Sequence, residues 1–198
     1  MISLRTFPCH SPRCLRHLCA AGVATLLAAT PLFAANCWDT THPDSRYSVN
    51  SSNGTVVDIY TGLEGNTKLM WKQCQEGLDG SSCSTVGVSA MNFADAALAG
   101  ANSRNSGYND WRLPTIEELE TLAPLQCAIQ ANPIINQTVF PGTPVSAEVW
   151  SSSSYFGTLD MWFLSFARGI SFGSFRHNLR QVRLVRGGQS LDPSVPTP

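Results

Sequence analysis

The C-terminal third of the chain contains the three residue types of a hydrolytic triad. Ser151 to Ser154 are consecutive, and Asp160 and His177 follow them. A serine nucleophile needs a histidine base held by an acid, and in many hydrolases the serine stands on a G-x-S-x-G turn. The sequence lacks that motif, a P-loop and a G-x-G-x-x-G motif. We therefore predict that the protein is not an enzyme, and we assign it no catalytic residue and no cofactor.

Paired carboxylates are a second possible source of chemistry, since most glycoside hydrolases use two of them. Glu117 and Glu120 are candidates, but they lie in the stretch "RLPTIEELETL". There Thr115 and Glu118 have the spacing of a capping box, and acids in the first turn stabilise a helix N-terminus. We interpret these acids as part of a helix that supports the fold.

Basic and aromatic residues concentrate near the C-terminus. From Met161 to Arg186 the sequence has five arginines and His177 with no acid, whereas residues 35–160 hold 13 acids and five bases. This distribution predicts a basic patch on an acidic body. As an alternative, Arg183 and Arg186 pair with the acidic helix.

Rigid rings mixed with arginine and small polar residues are typical of binding surfaces. Trp150 and the alternating residues Trp162, Leu164 and Phe166 are predicted to be framework or core. The other candidates for ligand binding are expected mostly in turns between strands. They are Tyr155, Phe156, Asp160, Arg168, Ser171, Phe172, Ser174, Phe175, Arg176, His177, Asn178 and Arg180.

The N-terminus has the pattern of a secretory signal. Three arginines precede an uncharged apolar run that ends in Ala34-Ala35, a small-residue cleavage site. We predict a signal peptide over residues 1–34 and export to the periplasm, the cell surface or the medium. The alternative is that the segment stays as a membrane anchor. After its removal we predict no membrane span, and the formal charge changes from −1 to −4, because three bases and no acid are lost.

Export places the four remaining cysteines in an oxidising compartment, where two disulfides are expected. Four cysteines allow three pairings. Cys74 and Cys83 flank a turn-rich segment, which favours a local bridge and leaves Cys37 for Cys127. The alternative, a zinc site, has no C-x-x-C spacing to support it. We therefore predict disulfides Cys74–Cys83 and Cys37–Cys127 and no metal.

The pattern of elements indicates an α+β domain, because strands lie at both ends and helices in the middle. Thr55–Thr61 and "KLMWKQC" are predicted strands, and Ala90–Ser103 is a predicted helix with Phe93, Ala97 and Leu98 on one face. Four short strands follow Val149. We divide the chain into the signal peptide (1–34), a lead-in (35–46), one domain (47–189) and a proline-rich disordered tail (190–198).

Several strings occur in the order found in a known bacterial family. The chain resembles the Lcl C-terminal domain, a domain of unknown function, over about residues 44–189. It departs from the family pattern where Glu64 to Lys68 interrupt "TGLMW". The matching strings are "TGL…LMWKQC", "DGSSC", "GYNDWRLPTIEELETL", "C…NPIIN…VFPGTP", "VWSSSSY", "MWFLSFARG" and "VRLVRGG".

The resemblance implies a C-type lectin-like fold, with a small twisted antiparallel sheet, two helices and a loop-rich C-terminal half. "WRLPTIEELE" is also similar to a signature of the formylglycine-generating enzyme and sulfatase-modifying factor group. The redox cysteine pair of that group has no counterpart here, because no cysteine follows Cys127. A lectin-type calcium site is equally unsupported by Asn109-Asp110-Trp111 or Asn132-Pro133.

The resemblance also implies a role in binding, because members of this fold group include variable retroelement proteins and adhesins for sulfated polysaccharides. Arg168, Arg176, His177 and Arg180 would suit an anionic glycan. We predict an exported, adhesin-like binding module for an anionic glycan or a surface protein, and no nucleic-acid partner. The alternatives are a degenerate relative or accessory of formylglycine-generating enzymes, and a structural module of the cell envelope.

Overall fold

The computed structural model describes residues 42–59, 68–84, 87–127 and 131–187. The predicted signal peptide, most of the lead-in, all of the inserted segment 64–68 except Lys68, and the proline-rich tail lie outside the described residues. Nine strands and two helices follow one another along the described chain. They are β1 (Tyr47–Asn50), β2 (Thr55–Asp58), β3 (Leu69–Lys72), β4 (Ala90–Met91), α1 (Phe93–Asn102), α2 (Ile116–Glu120), β5 (Glu148–Ser154), β6 (Met161–Ser165), β7 (Ile170–Ser174), β8 (Arg180–Gln181) and β9 (Val185–Gly187).

The strands form two sheets, which confirms the α+β class but not the prediction of one small sheet. The first sheet has the order β1-β2-β3-β9 and the second has the order β4-β8-β5-β6-β7. All pairings are antiparallel except a short parallel contact between β5 and β8. The sequence did not predict this division, because strand periodicity identifies strands without identifying their partners.

Helix α1 begins at an asparagine cap and buries a different face from the predicted one. The Asn92 side chain accepts a hydrogen bond from Asp95 N at 3.0 Å. Ala96 and Gly100 are the buried positions, while Leu98 is 58% exposed. A Cβ at Gly100 would lie 3.2 Å from Arg112 Cα. The helix therefore turns its smallest residues toward the chain at Arg112, while of the predicted apolar face Phe93 is half-buried and Ala97 and Leu98 are exposed.

Helix α2 starts with the predicted capping box, and its buried glutamate also holds an arginine. Thr115 Oγ1 accepts from Glu118 N at 3.2 Å, and Glu118 Oε2 accepts from Thr115 N at 2.8 Å. Both carboxylate oxygens of Glu118 accept from the Arg112 guanidinium at 2.7 Å. The arginine that pairs with this helix is therefore Arg112, and not Arg183 or Arg186 as the sequence suggested.

No helix within the described part of the chain is long and apolar enough to cross a membrane.

The central strand β6 is buried on both faces, because a hydrophobic core lies on each side of it. Leu164 and Phe166 belong to the core that contains Trp71 and Leu119. The predicted core set is thereby confirmed for these two residues, and Trp162 packs half-buried against the same core. Met161 and Phe163 face a second core with Trp111, Trp150, Val182 and Leu184.

Arg183 lies inside the protein instead of on the predicted basic patch. Its guanidinium donates to the carbonyl oxygens of Lys72 and Gln73 and, at 2.9 Å, to Thr143 Oγ1. The guanidinium carbon also lies 4.8 Å from the centroid of the Phe140 ring. Complete burial lowers the pKa of Arg183 to about 9, so the group still carries its charge at neutral pH. Arg183 thus has a structural role at the end of the first sheet.

The disulfide prediction is confirmed where both cysteines are described. Cys74 and Cys83 are bonded and close a loop next to the first sheet. Cys127 is also disulfide-bonded. Its predicted partner Cys37 lies outside the described residues, so the second pairing stays a prediction.

Replacing Glu118 by glutamine should destabilise the fold. The change leaves the Arg112 charge without its carboxylate, whereas a glutamine oxygen can still accept from Thr115 N, so the loss of the ion pair should cost about 2 kcal/mol of unfolding free energy. Urea unfolding followed by circular dichroism measures this cost. Glu117→Gln is the matched control, since Glu117 is exposed on the same helix, and it should change stability by less than about 0.5 kcal/mol. Equal effects of the two substitutions would contradict this role of Glu118.

Candidate functional site

A cleft of about 420 Å³ opens beside β6 and β7. It is called here the C-terminal cleft. Seven of the twelve predicted ligand-binding residues line it: Asp160, Arg168, Phe172, Ser174, Phe175, Asn178 and Arg180. Glu148, Phe163 and Gly173 complete the lining. A volume of this size is within the range of small-molecule sites.

Two stacked rings and an arginine lie together in the cleft. Phe163 and Phe172 are paired across β6 and β7, and their ring centroids are 5.6 Å apart with the planes inclined by 27° in a stacked arrangement. The guanidinium carbon of Arg180 lies 3.8 Å from the centroid of Phe163 and 5.5 Å from that of Trp150. A guanidinium over an aromatic face is attracted by the ring electrons and is held in one orientation.

Polar contacts fix Arg180 further. Its Nη1 forms an ion pair with Glu148 Oε2 at 2.9 Å, and its Nη2 donates to Ser174 Oγ at 3.0 Å. Asn178 Nδ2 donates to the same hydroxyl at 3.0 Å. Partial burial lowers the pKa of Arg180, and the nearby Glu148 carboxylate opposes that shift. The guanidinium of Arg180 is thus held in one position before any ligand binds, and the carboxylate of Glu148 balances its positive charge.

Arg168 and Asp160 bring opposite charges to the cleft. Arg168 is exposed, and its guanidinium carbon lies 5.7 Å from the centroid of the Phe172 ring. Within the described residues neither Arg168 nor Asp160 forms an ion pair. The two side chains are therefore available to a ligand, whereas Arg180 and Glu148 already bind each other.

The other five predicted residues lie around the cleft and not in its lining. Tyr155 and Phe156 pack with Trp162, which lies on the face of the sheet opposite Phe163. Ser171 Oγ hydrogen-bonds Glu120 Oε1 at 2.7 Å. The guanidinium carbon of Arg176 lies 5.3 Å from the centroid of the Phe93 ring, and the His177 ring stacks on the Phe175 ring.

Some predicted positions were wrong in their local structure. Ser171, Phe172 and Ser174 belong to strand β7, not to a turn, and Ser174 is buried. Arg180, which was not predicted to lie in a turn, belongs to the short strand β8 and is half-buried. One of the four short strands predicted after Val149 does cover residues 170–174, and pairing with the strongly apolar β6 keeps this segment extended.

Three residues of the lining were not predicted as ligand-binding residues from the sequence: Glu148, Phe163 and Gly173. Glu148 and Asp160 are the two acids between residues 121 and 187. Residues 121–187 also hold five arginines, so the isolation of these two acids could have indicated a shared site. Phe163 and Gly173 give no such indication, because their position in the cleft depends on the register of β6 against β7.

The serines once considered for catalysis connect β5 to the start of α2. The pairing of β5 with β6 shifts register between Trp150 and Ser154, which forms a bulge. At this bulge Ser151 Oγ donates to Trp162 O at 2.9 Å, and Ser153 Oγ accepts from Ile116 N at 3.0 Å. The hydroxyls of Ser151 and Ser153 are therefore used in structural hydrogen bonds.

A second cavity, of about 570 Å³, lies between the β1–β2 turn and the disulfide loop. Its lining consists of Ser51, Ser52, Asn53, Gly54, Lys72, Cys74, Gly77, Leu78, Asp79, Gly80, Ser81 and Asn105. None of the predicted ligand-binding residues is among them, and the lining has no aromatic side chain. The C-terminal cleft is the stronger candidate, because ligand sites combine aromatic surface with a few polar groups.

The model of one protein family, described as the Lcl C-terminal domain, matches residues 54–186. The matched range contains both helices, all strands from β2 to β8, and every residue that lines the C-terminal cleft. Strand β1 lies before it. A comparison with curated proteins found no match.

Replacing Arg180 by alanine should weaken the fold as well as the cleft. The change removes the packing on Phe163 and leaves Glu148 without its partner, which should cost about 2 kcal/mol of unfolding free energy. Arg168→Ala is the control, because an exposed residue without an ion pair should change stability by less than about 0.5 kcal/mol. Urea unfolding of the two variants compares them. A stable Arg180→Ala protein would contradict this account of Arg180.

Proposed function

The chain belongs to the Lcl C-terminal domain family, and from this premise we propose that it is a non-catalytic binding protein whose C-terminal cleft accepts a glycan or a protein ligand. The observation that carries the proposal is the convergence of seven predicted residues on one cleft with stacked rings. Rings held in place by a sheet provide contact area at little cost in entropy. Such a surface suits recognition.

The charges of the cleft favour a ligand with an anionic group among neutral hydroxyl or amide groups. Arg168 supplies an exposed guanidinium, and an arginine binds carboxylate or sulfate through charge-assisted hydrogen bonds. Asp160 and Glu148 lie in the same cleft, so a densely anionic polymer would meet repulsion there. A glycan with well-separated sulfate or uronic acid groups can place one anionic group on Arg168 and keep its other anionic groups away from Asp160 and Glu148.

Arg176 and His177 extend the basic side of the site beyond the cleft. Both side chains are exposed, and each rests on an aromatic ring, Arg176 over Phe93 and His177 on Phe175. This arrangement supports the proposal that a ligand longer than the cleft continues over this turn. A protein loop with an acidic side chain would use the same contacts.

The proposal includes export and a C-type lectin-like fold. The disulfide between Cys74 and Cys83 supports an oxidising compartment. Two helices, small antiparallel sheets and many turns in the C-terminal half support the lectin-like fold. We propose that the protein acts in the periplasm or at the cell surface.

Arg168→Ala should lose binding to sulfated or uronic glycans on a glycan array. We expect affinity to fall about tenfold, which corresponds to about 1.4 kcal/mol. Binding by the unchanged protein should also fall between about 0.05 and 0.15 M salt, because the contact is between exposed charges. The readout is the equilibrium affinity for the strongest array ligand, measured by calorimetry at both salt concentrations.

Arg104→Ala is the matched control for this experiment. Arg104 is also exposed and forms no ion pair within the described residues, but it follows α1, outside the C-terminal cleft. The two variants change the net charge equally, so a general charge effect would weaken both. Equal loss in both variants, or no anionic ligand for the folded protein, would count against the cleft as an anion-recognising site.

A further inference from the structure

The turn that connects β5 to β6 holds an aromatic residue in an unusual backbone conformation. Phe156 has φ 45° and Gly157 has φ 72°. Thr158 N donates to Tyr155 O at 2.9 Å, which closes the turn. The left-handed region is disfavoured for a bulky side chain, and glycine, asparagine or aspartate usually occupies it. Strained residues of this kind are concentrated at functional sites.

The strained turn presents its phenylalanine to the solvent. Phe156 is 76% exposed and the nearby Leu159 is 80% exposed. The Phe156 ring contacts two other rings, with centroids 4.6 Å from Tyr155 and 5.3 Å from Trp162, and the Tyr155 and Trp162 centroids are 4.5 Å apart. Tyr155, Phe156 and Trp162 form a continuous surface, called here the aromatic ridge.

A glycine in the neighbouring strand makes room for the ridge. A Cβ at Gly173 would lie 2.5 Å from the ring of Tyr155. Gly173 pairs with Trp162 across the two strands, whereas Phe172 pairs with Phe163. Because side chains alternate along a strand, the ridge and the rings of the cleft lie on opposite faces of the sheet. The ridge is thus a second surface, separate from the cleft.

The segment that carries Tyr155 and Phe156 is rich in hydroxyl groups. Residues 151–159 carry no charge, and Ser152, Ser154 and Thr158 are exposed. On the same face, Ser171 is hydrogen-bonded to the carboxylate of Glu120. A sulfated or uronic ligand would be repelled by this carboxylate, and so would an anionic lipid surface. Charge and chemistry therefore favour a neutral polar ligand.

We propose that the aromatic ridge binds a neutral glycan by stacking against the faces of its sugar rings. The C–H groups on one face of a pyranose are weakly positive, and the faces of aromatic rings are negative. The phenol of Tyr155 and the indole of Trp162 add hydrogen-bonding groups at the ring edges. The strained conformation of Phe156 holds its ring beside the other two. This inference does not depend on the anion-binding role proposed for the cleft.

The decisive variant is Phe156→Asn in the full chain. Asparagine is favoured in the left-handed region, so the turn should form at least as well while the ring is lost. Phe156→Tyr keeps the ring and is the matched control. The probes are neutral glycans on an array, followed by titration of the fluorescence of the chain with the strongest array ligand. Vesicles of phosphatidylcholine test the lipid alternative.

We expect Phe156→Asn to bind at least about tenfold more weakly than the unchanged chain, with equal or higher thermal stability. Phe156→Tyr and Arg168→Ala should keep the affinity for the neutral glycan, and raising salt to about 0.5 M should leave it unchanged. Loss of anionic binding in Arg168→Ala tests the cleft separately. The inference is overturned if the unchanged chain binds no neutral glycan, if Phe156→Asn binds the neutral glycan as tightly as the unchanged chain, or if the chain binds only the phosphatidylcholine vesicles.

Discussion

The ion pair between Arg112 and Glu118 is the contact on which the arrangement of the two sheets depends. Arg112 exchanges backbone hydrogen bonds with Val185 of β9, at the edge of the first sheet, and its guanidinium also donates to Gly187 O. Glu118 belongs to α2, which packs on β5, β6 and β7 of the second sheet. The buried carboxylate therefore connects one sheet to the helix that covers the other.

The binding surfaces depend on this connection through the serine bulge. Once α2 is fixed, Pro114 O accepts from Ser152 N at 2.7 Å and Ile116 N donates to Ser153 Oγ. These bonds hold β5 at the point where its register shifts against β6. The bulge precedes the turn with Phe156, so the helix start determines where the aromatic ridge and the end of the cleft lie. The segment from Pro114 to Ile116, which contains no predicted ligand-binding residue, thus positions both the aromatic ridge and the C-terminal cleft.

The sequence was sufficient for features that depend on local chemistry. The capping box at Thr115, the loop closed by Cys74 and Cys83, and the strand character of the C-terminal third all follow from residue type and spacing. It was insufficient where a side chain finds a partner far along the chain. Glu148 is paired with Arg180, and Arg183 binds the carbonyl groups of Lys72 and Gln73. No local pattern predicts such contacts, because they follow from the pairing of strands.

Charge counting along the sequence overestimates how basic the C-terminal surface is. Of the five arginines, Arg183 is buried, Arg180 is paired with Glu148, and Arg186 is paired with Asp110 at 2.7 Å. Of these five, Arg168 and Arg176 are the two that are exposed and form no ion pair within the described residues. Two exposed cations cannot dominate a surface with several half-buried and exposed rings. Selectivity on this surface should therefore come mainly from the shape and spacing of the rings, with each arginine adding one directional contact.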